Sequence, residues 1–130
     1  MGRRARIPQA IGDLMAAGAR HAWTLEEIQA GLASRGMGAN FSSVFRAVER
    51  LETEGALRRL NLDDGPTRFE RGGAHHDHLH CVKCGLLVPV PCLARRIDLA
   101  ALEAETGFSI TAHDIVLNGL CAACRDGARP

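Results

Sequence analysis

Residues 75–85 read HHDHLHCVKCG and place four histidines, one aspartate and two cysteines within eleven positions. That is more ligand-type side chains than one four-coordinate ion can use. Along a strand, successive side chains alternate between two faces. His76, His78 and His80 would then point one way, and His75, Asp77 and Leu79 the other. One short strand can therefore serve two different sites, and the C-x-x-C turn formed by Cys81 and Cys84 a third.

A second C-x-x-C pair, Cys121 and Cys124, lies towards the C-terminal end, and Cys92 is left over from a total of five. An odd count in a chain whose start shows no signal-peptide pattern argues against a disulfide framework. Thiolates are soft ligands that suit Zn2+, and four of them make a closed tetrahedral site. Cys81, Cys84, Cys121 and Cys124 are read as a structural zinc site that staples together the ends of a small module. Such a site has no open position for water, and no Ser–His or Cys–His base pairing is evident in the sequence, so an enzyme with catalytic zinc is disfavoured. Imidazole and carboxylate together suit Zn2+, Fe2+, Mn2+ or Ni2+. His113, in ITAHDIV, would complete one face of the histidine-rich strand, and Glu70 the other.

Upstream, the pattern is helical. IPQAIGDLMAAG spaces Ile7, Ile11, Leu14 and Met15 for a helix, with Pro8 in a first turn. TLEEIQAGLASRG begins with a capping box, Thr24 and Glu27, and stops at Gly36. NFSSVFRAVERLETEG is capped by Asn40 and ended by Gly55. Its Val44, Val48 and Leu51 share one face, while Ser43, Arg46 and Arg50 form another and Ser42, Phe45 and Glu49 a third. ALRRLNLDDGPTRFER then alternates apolar residues either side of an Asp-Gly turn and reads as a hairpin. Three helices followed by a hairpin is the order of a winged helix, with the third helix entering the DNA major groove.

Gly72 and Gly73 read as a hinge. The expected organisation is α+β: a winged-helix DNA-binding domain at 1–71, a hinge at 72–74, and a small α/β dimerisation and metal-binding domain at 75–130. The second part reads as two strands around a KCG turn, a helix LARRIDLAALEAETG ending at Gly107, and a last strand FSITAHDIVLNGLC. About 57 residues bury little core, so its sheet is expected to pack on a twin subunit or to be pinned by metal. The net charge of the 130-residue chain is only +1, but residues 1–71 hold 11 arginines against 9 acidic residues. No apolar run approaches the roughly 20 residues of a membrane span, and a cytoplasmic location is expected.

Taken together, HHDHLHCVKCG, NGLCAAC and the upstream SSVFRAVERLETEGALRR resemble the ferric uptake regulator (Fur) family over nearly the whole chain, residues 7–125. The resemblance implies a homodimeric, metal-dependent transcriptional repressor that binds double-stranded DNA at a palindromic operator. It implies structural zinc on Cys81, Cys84, Cys121 and Cys124, an interdomain regulatory metal on Glu70, His76 and His78, and a second metal site on His75, Asp77 and His113. Arg46 corresponds to a DNA-contacting arginine, and Ser43, Phe45 and Arg50 share its exposed surface. The chain also departs from the pattern. Ala22 stands where a ligand histidine is usual, with His21 one residue away. Pro89 and Arg96 stand at carboxylate positions, and Phe45 at a tyrosine. Cys92 reads first as a small residue at a helix start, with replacement of a lost oxygen ligand as the alternative. GLCAAC is similar to zinc-uptake regulators, so the regulatory ion is expected to be Zn2+, with Fe2+ or Mn2+, and iron or peroxide sensing, as the alternative. A zinc store or chaperone would leave the winged-helix half unexplained.

Overall fold

The computed structural model describes residues 2–18, 20–62 and 65–127, with only the backbone described at residues 3–5. The chain divides into two compact units, Met1–Gly73 and Ala74–Pro130.

The first unit runs α1 (Arg3–Ala17), β1 (Trp23–Thr24), α2 (Leu25–Ser34), α3 (Phe41–Thr53), β2 (Leu57–Leu60) and β3 (Arg68–Arg71). Its helix boundaries follow local chemistry. The Thr24 side chain accepts the Glu27 N–H while the Glu27 side chain accepts the Thr24 N–H, closing the capping box that opens α2. Asn40 Oδ1 accepts the Ser43 N–H at 2.8 Å and opens α3. At the end of α3, Gly55 adopts φ +79°. There the Ala56 N–H reaches Leu51 O at 2.9 Å and the Gly55 N–H reaches Glu52 O at 3.0 Å, a Schellman ending. The first helix differs from the sequence expectation. It begins at Arg3, so Pro8 lies inside it and not in its first turn. Pro8 has no N–H, so the helix forgoes one backbone bond at that point.

Val44, Ala47, Val48 and Leu51 form the buried stripe of α3. They pack with Ile7, Ile11, Ile28, Leu32, Trp23 and Phe69 in a single hydrophobic core. The hairpin closes antiparallel in the register Leu57↔Arg71 to Leu60↔Arg68, and β1 adds to its other edge, giving the order β1-β3-β2. Asp63 and Asp64 of the expected turn lie outside the described residues. The turn is longer than a two-residue Asp-Gly loop, because pairing stops at Leu60 and resumes at Arg68. Arg59 ties the hairpin to α3 by donating Nε and Nη2 to the two carboxylate oxygens of Glu52, at 3.1 and 2.9 Å.

The second unit runs β4 (Asp77–Cys81), β5 (Leu87–Val90), a 3-10 turn (Leu93–Arg96), α4 (Leu99–Thr106), β6 (Val116–Gly119) and α5 (Ala122–Arg125). The sheet order is β5-β4-β6, with β4 antiparallel to β5 and parallel to β6. The expected single helix is divided. Asp98 caps a new helix by accepting the Ala101 N–H at 3.0 Å, so LARR forms a separate 3-10 turn. The last strand is also shorter than expected: it spans only Val116–Gly119, and residues 108–115 form no regular element. Among the described residues the second unit has almost no apolar core: those buried are Cys81, Leu87 and Cys124, while Leu79, Leu117 and Leu120 are 42%, 51% and 54% exposed.

Gly72, expected as a hinge residue, has a packing role. Its N–H donates to Ala56 O at 2.9 Å, and a Cβ built on it would stand 2.1 Å from Gly55 O. Backbone cannot yield there as a flexible side chain could. Gly72→Ala should therefore destabilise the first unit by about 1–3 kcal/mol, the usual cost of overpacking. Urea unfolding followed by helical circular dichroism measures it, with Gly65→Ala, in the hairpin turn, as a comparison at a left-handed glycine with open space around it.

Candidate metal centres and nucleic-acid interface

The central strand β4 organises the second unit's chemistry. Its C-terminal end, Cys81, pairs with Gly119 at the end of β6, so the next residues of that chain segment bring Cys121 and Cys124 beside it. The turn after β4 carries Cys84. The four Sγ atoms lie within 4.8 Å of one another. Cys84 Sγ is 3.8 Å from Cys121 Sγ, and all the cysteines are free thiols. The cluster treats its members unequally. Backbone N–H groups of Cys84, Cys121 and Lys83 stabilise the Cys81 thiolate against its burial and draw its pKa down to about 5. Burial and neighbouring thiols push Cys124 up to about 12. Four thiolates cannot share so small a volume without a cation to neutralise them, and a donor set of four cysteine sulfurs fits a closed tetrahedral Zn2+.

The N-terminal end of β4 carries a different donor set. Asp77 faces Val90 of β5, and the parallel strand β6 begins opposite His78, so both neighbouring segments pass this end. Asp77 is fully buried. Its Oδ2 accepts the Leu93 N–H at 2.7 Å and its Oδ1 the Ile115 N–H at 3.0 Å. Burial would raise its pKa, but those two backbone donors and the nearby His75 and His113 outweigh it, so the carboxyl is held below its ordinary value. His75 Nε2 lies 3.3 Å from Asp77 Oδ1, and the His75 and His113 rings meet edge to face with centroids 4.3 Å apart. The three residues expected to share a site are thus together. The sequence favours Cys92 as a small helix-start residue, offers it as a replacement ligand without a site, and shows no Cys–His pair. In the structure Cys92 Sγ is 3.2 Å from His113 Nε2, and His75, Asp77, Cys92 and His113 all present donor atoms within 4.8 Å of one another. The available signal was register: Cys92 follows β5 by two residues on the side where β5 ends against Asp77.

His76 and His78 share the opposite direction, with ring centroids 4.7 Å apart. His80, grouped with them by alternation, instead hydrogen-bonds Asn118 through Nδ1 at 3.0 Å and is buried. Pro89 is on the edge strand β5, paired in register with His78, where its missing N–H costs no ladder bond on the inner side. Arg96 is exposed.

Within the first unit, His21 Nε2 lies 2.6 Å from Glu70 Oε2. Ala22 is buried at 5% exposure and belongs to the packing, so the neighbouring histidine makes the approach to Glu70. Arg58, paired with Glu70 in the hairpin register, brings Nη1 to 3.8 Å from Glu70 Oε1. On α3, Phe45 is 41% exposed, Arg46 is exposed, and Arg50 is exposed while its Nε pairs with Glu54 at 3.0 Å. Ser43, Arg46 and Arg50 line a shallow groove with Ile7 and Pro8 of α1.

No described helix is long and apolar enough to cross a membrane. If the four-cysteine cluster is a zinc staple, removing the ion has a local consequence. Cys121→Ser, or a strong chelator, should abolish amide hydrogen-exchange protection across β4 and β6 while α1–α3 keep theirs. Elemental analysis should show the loss of one zinc per chain in parallel. Zinc in finger peptides contributes about 10–16 kcal/mol, far more than this unit's apolar burial can replace.

The model of the family described as "Ferric uptake regulator family" matches residues 3–118. A ferric uptake regulation protein of Bordetella parapertussis is 30% identical over 131 residues, covering 98% of this chain and 93% of that relative. The ferric uptake regulator of Francisella tularensis, solved with iron, matches with a TM-score of 0.78 at 21% identity, covering 96% of this chain and 92% of that one. FurB of M. tuberculosis, described as a zinc uptake regulator, matches with a TM-score of 0.53 at 27% identity, covering 95% of each chain.

Proposed function

The chain belongs to the ferric uptake regulator family of metal-responsive regulators, and we propose that it is a zinc-responsive repressor of metal-homeostasis genes acting at a palindromic operator. In this reading α3 enters the major groove, with Phe45, Arg46 and Arg50 towards DNA and Ser43 beside them. Arginine reads guanine edges, and an exposed phenyl ring suits a thymine methyl. Zn2+ on Cys81, Cys84, Cys121 and Cys124 holds the second unit. A regulatory divalent ion is held by Glu70, His76, His78 and His21, and a second by the group around His75, Asp77 and His113.

The observation that carries this reading is that each unit gathers its own pair of regulatory donors. His21 and Glu70 stand 2.6 Å apart in the first unit, and the His76 and His78 rings meet edge to face in the second. An ion that binds both pairs favours one arrangement of the chain by differential affinity, which is how a ligand biases a conformational equilibrium. The second unit's exposed sheet face, with Leu79, Leu117 and Leu120, supports a homodimer that covers it.

Zinc is favoured over iron because three positions that would supply hard oxygen or further imidazole ligands are Ala22, Pro89 and Arg96. The named relatives include both iron and zinc regulators, so iron or peroxide sensing is the second reading.

Gel-shift titration with each divalent ion tests the assignment. Wild type should bind its operator only with metal, Zn2+ being most effective, and with a steep salt dependence. His76→Ala combined with His78→Gln should abolish the metal dependence while the structural zinc is retained; an unchanged metal dependence sinks the site. Arg46→Ala should cost about 1–3 kcal/mol of operator binding without altering metal content. Peroxide applied to iron-loaded protein should leave operator binding intact; irreversible loss would favour the peroxide reading.

A further inference from the structure

We infer that Cys92 is a metal ligand, and that it makes the cluster at the N-terminal end of β4 a mixed thiolate, imidazole and carboxylate site for borderline ions such as Zn2+ or Co2+, rather than a site for a harder ion such as Mn2+. The inference deepens the reading of that cluster as a second metal site and rests on it.

Two chemistries compete for a Cys–His contact of 3.2 Å. One is an activated nucleophile, in which an acid orients the imidazole through its far nitrogen while the near nitrogen faces sulfur. The other is coordination, in which all donors aim at one point. The geometry separates them. The Asp77 carboxylate approaches the same nitrogen that faces Cys92, His113 Nε2, at 3.9 Å through Oδ2. It therefore cannot serve as the orienting acid on the opposite nitrogen. His75 Nε2 also approaches Asp77, at 3.3 Å from Oδ1. Four donor atoms of three chemical kinds converge within 4.8 Å, the span of a first coordination sphere and not of a relay. The position of Cys92 is also held. It lies between the end of β5 at Val90 and Leu93, whose N–H is bound by Asp77 at 2.7 Å. The residue after the thiol is thus anchored to another member of the cluster.

A thiolate in place of an oxygen donor shifts selectivity toward softer ions. The bookkeeping of cysteines makes this measurable. Four of the five cysteines belong to the other end of β4. The donors His21, Glu70, His76 and His78 include no sulfur. Once the four-cysteine cluster is filled with zinc, any new metal–thiolate bond must involve Cys92.

The test uses the full-length protein carrying one zinc per chain, titrated with Co2+. Wild type should develop a near-ultraviolet thiolate-to-cobalt charge-transfer band without zinc release. Cys92→Ser should lose that band, keep visible ligand-field absorption, and bind Zn2+ about tenfold or more weakly at this site. Cys92→Asp should also lose the band while gaining Mn2+ relative to Zn2+, which shows that the site survives substitution. A band that persists in Cys92→Ser, or cobalt bound by wild type with no thiolate band, overturns the inference. Neither result touches metal-dependent operator binding, which is read separately by gel shift; loss of that dependence in wild type would instead overturn the wider functional reading.

Discussion

The second unit cannot hold itself together by burying oil. Cys81, Leu87 and Cys124 are its buried apolar residues, and two of those three are cysteines of one cluster. Beyond the ladders that pair β4 with β5 and β6, two C-x-x-C turns converge at one end of the central strand. The opposed tendencies of Cys81 and Cys124 follow from that closeness. One thiol is stabilised as an anion by three backbone N–H groups, and another is discouraged from ionising by burial and by its neighbours. A divalent cation bound there would remove the conflict and add stability that so small a core does not supply. Everything at the other end of β4 depends on this anchorage, because the same strand positions the aspartate and the histidines.

The first unit obeys a different rule. Its stability comes from a single apolar core shared by three helices and the hairpin, and its chemistry is displayed on the outside. Val44, Ala47, Val48 and Leu51 are committed inward, which forces Phe45, Arg46 and Arg50 outward on the same helix. The Arg59–Glu52 fork then fixes the hairpin to that helix. The exposed face and the core are therefore two faces of one periodic pattern.

Much of this was legible in the sequence because it is local. Caps at Thr24 and Asn40, the αL ending at Gly55 and the amphipathic stripe of α3 each depend on a handful of neighbouring residues. The paired C-x-x-C motifs point by residue type to the cluster their four cysteines form. The failures are of a different kind. The sequence puts Pro8 in a first turn because helix starts depend on weak propensity in residues 3–6. It reads as one continuous helix after β5 because the Asp98 cap competes with an otherwise unbroken helical pattern. Cys92 went without a site because its neighbourhood is created by strand register: only the pairing of Asp77 with Val90 shows that the chain beyond β5 returns beside Asp77. Gly72 reads in the sequence as part of a hinge; that it also packs against the Gly55 carbonyl requires knowing where that carbonyl points.

Asp77 carries a consequence best counted in lone pairs. A carboxylate offers about four, and two of them already receive the N–H groups of Leu93 and Ile115. Each oxygen therefore enters any coordination already half engaged, and its orientation is set before an ion arrives. The two segments so engaged are those that carry Cys92 and His113 into place. One buried side chain thus acts as a template for its own co-ligands. Replacing it with an alanine would cost the site its geometry as well as one donor, and restoring a negative charge elsewhere in the cluster would not recover what was lost.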